Sequence, residues 1–122
     1  MEIVIVDDDP MILKVFTKLL EKLGYQATPF NRGRSALDYF QSHQNEIQLI
    51  ILDMKLDDMT GSEVFQEIHT IKPKQKVIVA TGYGLDRDVQ ILLENGLTDY
   101  LEKPFTLEVL KEKLAKHAPK AN

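Results

Sequence analysis

The chain of 122 residues contains no cysteine, which excludes disulfides and thiolate metal sites. That absence fits a reducing compartment, and a cytoplasmic location is the expectation. No apolar run approaches the roughly 18 residues that a membrane-spanning helix needs. The segment from Met1 to Asp7 offers neither a basic region nor a cleavage site, so neither a signal peptide nor a membrane partner is expected. Basic charge is also in deficit: 15 Lys and Arg stand against 19 Asp and Glu, a net charge of -4. An acidic balance argues against direct nucleic-acid binding, which needs a basic patch for phosphates. Lysines do gather late in the chain, at Lys103, Lys111, Lys113, Lys116 and Lys120. Acids are interleaved with them, and the pattern reads as a solvated helix face.

What is present is an ordinary globular composition, 43% hydrophobic and 28% charged, and a length that fits one domain over residues 1–122. Two patterns alternate along it. Short, nearly continuous apolar runs occur at Glu2–Val6, Leu49–Leu52 and Val77–Ala80, as in strands buried on both faces of a parallel sheet. Tyr25–Phe30 and Thr98–Glu102 are weaker strand candidates. Between them the spacing turns helical. Ile12, Val15, Phe16, Leu19, Leu20 and Leu23 share one face over three turns, read as core, with Asp9 as N-cap, Pro10 at the first position and Gly24 as terminator. Further helices are predicted at about 34–41, 61–69, 86–95 and 107–116, with Thr106 capping the last and Gly96 closing the fourth. The tail Ala118–Asn122 is expected to fray.

Five β-α units in strict alternation imply parallel strands joined by crossovers, and they are too few for an eight-fold barrel. The prediction is an α/β fold: a flavodoxin-like, doubly wound five-stranded parallel sheet of order 2-1-3-4-5 with five helices. In such a sheet ligands bind at the carboxyl ends of the strands. The residues there are Asp7, Asp8 and Asp9 after the first strand, Asp53 after the third, Thr81 after the fourth, and Lys103-Pro104 after the fifth. Two carboxylates about 5 Å apart repel by roughly 3 kcal/mol at an effective dielectric near 20. A hard divalent cation relieves that repulsion, and Mg²⁺, which binds through one or two carboxylates and retains waters, is the expected one. Lys103 adds a compact positive charge and Thr81 a hydroxyl donor. A carboxylate nucleophile, a cation, an ammonium and a hydroxyl are what phosphoryl transfer onto an aspartate requires.

Val6-Asp7-Asp8-Asp9, Leu52-Asp53, Ala80-Thr81-Gly82 and Glu102-Lys103-Pro104-Phe105 resemble, in order and spacing, the signature of receiver domains of two-component response regulators. The resemblance covers essentially the whole chain. It implies Asp53 as phospho-acceptor and Asp8 as direct Mg²⁺ ligand, with Asp7 acting directly or through water. It also implies the Lys55 backbone carbonyl as a further ligand, a cis bond at Lys103-Pro104, and Thr81 with Tyr100 as a switch pair. The implied partner is a histidine kinase or histidine phosphotransfer domain, with the output unspecified. A dimer on phosphorylation, through the last helices, is compatible with this reading but does not follow from it. Leu56-Asp57 departs from the Met-Pro often found in the family, and Gly82 from alanine. Thr81-Gly82-Tyr83-Gly84 is closer to receivers attached to sensor kinases. Lys55 and Tyr83, each two residues beyond a key position, stand near the expected path of attacking water and are expected to set the lifetime of the phosphorylated state.

A phosphorelay intermediate, which passes its phosphate to another histidine, differs from this reading only in that step, and two other functions compete. One is an interaction domain of the same fold that is never phosphorylated. The other is a Mg²⁺-dependent phosphatase working through an aspartyl phosphate; enzymes resembling the haloacid dehalogenase family place a second aspartate where this chain has Lys55. The expectation is therefore of a switch that acts on itself and not of an enzyme with an external substrate. Gly82-Tyr83-Gly84 lacks the third glycine of a dinucleotide loop. Asp53–Val64 lacks the glycine and glutamate of a calcium loop. His43, His69 and His117 have no ligand spacing and read as surface residues.

Overall fold

Residues 1–120 are described by a computed structural model of the chain. Strand β1 (Glu2–Val6) leads to helix α1 (Pro10–Lys22), β2 (Gln26–Phe30), α2 (Gly33–His43), a short 3-10 turn (Gln44–Glu46) and β3 (Ile47–Asp53). Then follow α3 (Gly61–Ile71), β4 (Val77–Thr81), α4 (Arg87–Glu94), β5 (Asp99–Glu102) and α5 (Leu107–His117). All pairings are parallel and the strand order is β2-β1-β3-β4-β5, as expected.

Every residue of β1 and β4 is buried, whereas the outer strands β2 and β5 are mixed. Alternate strand residues feed two cores, one on each face of the sheet. Val4, Val6, Ile50, Leu52, Val77 and Val79 pack with Leu37 and Phe40 of α2, Val64, Phe65 and Ile68 of α3, and Val89 and Leu92 of α4. Ile3, Ile5, Leu49, Ile51, Ile78 and Leu101 pack with Phe16 and Leu20 of α1 and Leu110 and Leu114 of α5. Each such side chain contributes about 1.5–3 kcal/mol by leaving water, so the central strands form a rigid platform.

Local chemistry sets the helix ends. The Asp9 carboxylate accepts the Met11 and Ile12 amides, Pro10 follows it, and Gly24 lies just past the end of α1. Thr106 caps α5 by accepting the Val109 amide, and Thr60 and Glu63 form a reciprocal capping box on α3.

Three expectations need correction. Ile12 and Val15 of α1 are 40% and 59% exposed, so the buried stripe is narrower than the periodicity implied; partly buried Leu13 takes a place on the core side instead. His117 is buried and not a surface residue, because its Nε2 meets Asp99 Oδ2 at 2.8 Å. Ala118, where fraying was expected, is fully buried. Its carbonyl accepts the Tyr25 hydroxyl at 2.7 Å, and the Pro119 carbonyl accepts Gln48 Nε2 at 3.0 Å. Residues 121 and 122 of that tail lie outside the described residues.

Candidate functional site

β1 and β3 are neighbours and end at the same edge, so Asp7 and Asp8, just past β1, meet Asp53, the last residue of β3. Carboxylate oxygens of Asp7, Asp8 and Asp53 all lie within 4.8 Å of one another. Asp7 is the deepest: Oδ1 accepts the Asp9 amide at 2.9 Å and Oδ2 accepts Lys103 Nζ at 3.1 Å. Lys103 Nζ also stands 3.5 Å from Asp53 Oδ2. It reaches there from the end of β5, where its own amide donates to the Thr81 carbonyl at 2.8 Å and its peptide bond to Pro104 is cis, as the resemblance implied. Thr81 is buried, and its hydroxyl oxygen accepts the Tyr83 amide at 3.2 Å.

Around Asp53, Thr81 and Lys103 line an open cleft of about 440 Å³ with Asp8, Met54, Lys55, Gly82 and Tyr83. A larger cleft of about 560 Å³ lies between α1 and the β2–α2 corner, but none of the three clustered acids lines it. The site is fixed by its chemistry and not by volume.

Electrostatically the cleft is short of positive charge. Burial, followed by the charge of Asp7, pushes the Asp53 carboxyl above its usual range, although Lys103 and the Lys55 amide pull the other way. Asp8 is also raised, first by desolvation and then by the neighbouring Asp57 carboxyl, with Asp7 adding to it. One ammonium cannot neutralise these acids. The donor set is hard oxygen from convergent carboxylates, open on one side, which fits Mg²⁺. Asp7, Asp8 and Asp53 are the side chains that would hold it, and the Lys55 carbonyl is on the adjoining loop.

Tyr100 lies on β5, in register with Val79, and is partly buried against the core on the α2–α4 face. Lys55 and Tyr83 cover the outside of the cleft: Lys55 Nζ is 3.4 Å from the Tyr83 hydroxyl and 4.8 Å from its ring centre. Sequence reasoning noticed Asp57 only as a departure from Met-Pro and did not foresee its carboxylate beside Asp8. It also missed Asp58, whose two carboxylate oxygens accept the Gly33 and Arg34 amides, each at 2.9 Å. Neither contact is local in sequence, and no periodicity signals it.

Residues 3–115 match the response regulator receiver domain family. The chain is 34% identical over 118 residues to the sensor histidine kinase RcsC of Salmonella typhimurium; the match covers 97% of this chain and 12% of that protein. It thus spans about an eighth of that relative's length. Among solved structures, a response regulator receiver domain protein from Clostridium thermocellum superposes with a TM-score of 0.90 at 29% identity, covering 95% of this chain and 92% of that one. The response regulator TrrA from Thermotoga maritima, solved in complex with Mg²⁺-BeF, gives a TM-score of 0.83 at 33% identity, covering 95% and 98%. The matched range contains every residue of the acidic pocket at the sheet edge, and the chain belongs to the receiver domain family of two-component response regulators.

Proposed function

We propose that this domain is a phosphoryl-accepting switch whose acceptor is Asp53 and whose donor is a phosphohistidine on a histidine kinase or histidine phosphotransfer domain. The observation that carries the reading is the position of the Asp53 carboxylate, at the open edge of the sheet, 3.5 Å from Lys103 Nζ and clustered with Asp7 and Asp8. An Asp53 oxygen forms the new bond to phosphorus. The P–N bond of the phosphohistidine breaks, and its electron pair returns to the imidazole. Lys103, paired with Asp7 and Asp53 before transfer, moves its charge onto a phosphoryl oxygen as negative charge shifts outward. The Thr81 hydroxyl, now accepting the Tyr83 amide, keeps its proton free to donate to a second phosphoryl oxygen. Mg²⁺, when bound by Asp7, Asp8, Asp53 and the Lys55 carbonyl, supplies the charge neutralisation that one lysine cannot.

The domain changes only itself, by phosphorylation and later hydrolysis, in a cytoplasmic setting. Movement of Thr81 toward the phosphoryl group opens space into which Tyr100 turns, which alters the surface built by α4, β5 and α5. That surface is where an output partner, or a second copy of the chain, reads the state. The Mg²⁺-BeF complex of TrrA makes the same mimic the natural test. With Mg²⁺ and beryllofluoride, amide resonances of Thr81, Tyr83 and Tyr100 should shift together, and Asp53→Asn should remove the response. Folded protein whose spectrum does not change would contradict the reading.

A further inference from the structure

The β3–α3 loop carries the Lys55 carbonyl and is built like a small hairpin. Lys55 bridges Thr60 in antiparallel fashion, and the Gly61 amide donates to the Met54 carbonyl at 2.8 Å. The Met54 amide ties the stem to the Ala80 carbonyl at 3.2 Å. These bonds fix the base of the loop but leave its tip, residues 56–59, with no ladder of its own.

The tip is held from elsewhere. Helix α2 begins without a local cap, since Arg32 at its N-cap position makes no side-chain hydrogen bond. The orphaned amides of Gly33 and Arg34 are taken instead by Asp58, one carboxylate oxygen each, at 2.9 Å. The contact is close on the neighbouring side as well. A Cβ on Gly33 would stand 2.6 Å from Met59 Cγ and 2.8 Å from Val64 Cγ2, so only glycine lets the loop lie this near the helix. Partial desolvation pushes the Asp58 carboxyl upward, but the Arg34 and Gly33 amides and the Arg32 guanidinium outweigh it and hold it below the usual carboxylate range. The cap is therefore ionised, bidentate, and given by one element to another 24 and 25 residues away in sequence.

We propose that Asp58 is a positioning residue for the cation: by capping α2 from the tip of the β3–α3 loop, it fixes that loop and with it the Lys55 carbonyl at the edge of the acidic pocket. This rests on the reading of the pocket as a Mg²⁺ site. Asp58 does not touch the metal. It holds the frame from which a ligand is presented, and groups that orient ligands are typically worth a large share of metal affinity.

The test separates capping from positioning. Mg²⁺ affinity is measured by calorimetry, and amide exchange at Gly61 and Met54 by NMR without metal, in wild type, Asp58→Ala, Asp58→Asn and the double variant Arg32→Ser/Asp58→Ala. The serine gives α2 a local cap but no tether to the loop. Asp99→Asn removes a stabilising contact of comparable size at the end of the sheet opposite the pocket. Asp58→Ala should weaken Mg²⁺ binding about tenfold and speed exchange at Gly61. Asp58→Asn, which keeps one acceptor oxygen, should fall between it and wild type, whereas loss of charge alone would make the two variants equal. The double variant should regain thermal stability without regaining affinity, and Asp99→Asn should lose stability with affinity intact. Unchanged affinity in Asp58→Ala, equal affinities in Asp58→Ala and Asp58→Asn, or recovery of both properties by Arg32→Ser, would overturn the proposal. If wild type itself bound no Mg²⁺, the metal reading would fail and this proposal with it, while unchanged exchange at Gly61 with normal Mg²⁺ binding in wild type would sink the tether alone.

Discussion

Asp53 and Asp8 are both held above the ordinary carboxylate range, and the sign of that shift fixes a prediction. An acid whose folded pKa exceeds its unfolded value binds its proton more tightly when folded. It therefore costs stability as pH rises from the unfolded value through the folded one, and the cost is complete above the folded value. Carboxylates separated by up to 4.8 Å repel by about 3 kcal/mol at an effective dielectric near 20, less what solvent screens. Asp53→Asn and Asp8→Asn should each stabilise the metal-free protein at pH 7 by roughly 1 kcal/mol, a rise in Tm of about 3–6 °C. Both variants should lose the stabilisation that Mg²⁺ gives wild type, about 2.7 kcal/mol at a hundred times Kd. Thermal melts with and without Mg²⁺ check this, and a fall in Tm for both variants without metal would refute the electrostatic account. Lys55 and Tyr83 belong to the same scale. Both line the cleft around Asp53 and meet each other at 3.4 Å, a placement suited to shielding it from water. We predict that Lys55→Ala and Tyr83→Ala each speed loss of phosphate from Asp53 by about fivefold, measured as decay of the phosphorylated form; rates unchanged in both would remove the shielding role.

At the scale of elements, α5 is joined to β5 at the end of the sheet opposite the site. The Asp99 carboxylate, at the start of β5, meets Lys113 Nζ at 3.0 Å and His117 Nε2 at 2.8 Å. Desolvation pushes Asp99 upward, but the Lys113 and His117 hydrogen bonds and the Tyr100 amide outweigh it and hold its carboxyl below the usual carboxylate range. A lowered carboxyl pKa gives stability that is full above the unfolded value and lost as pH falls through the folded one. Asp99→Asn should thus cost about 1 kcal/mol at pH 7, a charged hydrogen bond discounted for its contact with solvent. The difference from wild type should shrink as pH drops below about 4. Denaturant melts across that window check it, and a gap that held constant down to the acid limit would contradict it. This cluster was not legible in the sequence, because Asp99, Lys113 and His117 come together only through the packing of α5 on β5. Strands β1, β3 and β4 were legible, since burial on both faces leaves an uninterrupted apolar run. The face of α1 was only partly so: periodicity marks the apolar residues but not which neighbours cover them, and Ile12 and Val15 emerge exposed.

For the whole molecule, parallel order decides where function sits. Placing β1 between β2 and β3 brings residues 7, 8 and 53 to one edge, and β4 and β5 add Thr81 and Lys103. That convergence could be read from the sequence once the strand order was inferred, because Asp7, Asp53 and Thr81 each close an apolar run and Lys103 follows the weaker fifth strand. The support for it could not be read: Asp57 beside Asp8 and Asp58 on α2 depend on how one loop folds against a distant helix. The same architecture places Tyr100 on an outer strand, two pairs along from Thr81 in the β4–β5 register, so a change at the acceptor has a short route to an exposed face. Everything in this account depends on Asp53 taking the phosphoryl group. Intact-mass spectrometry after incubation with acetyl phosphate, with Mg²⁺ or with a chelator, tests it most directly. The account predicts one added phosphate that requires Mg²⁺ and is absent from Asp53→Asn; an unmodified folded wild-type protein, or a phosphate that persists in that variant, would contradict it.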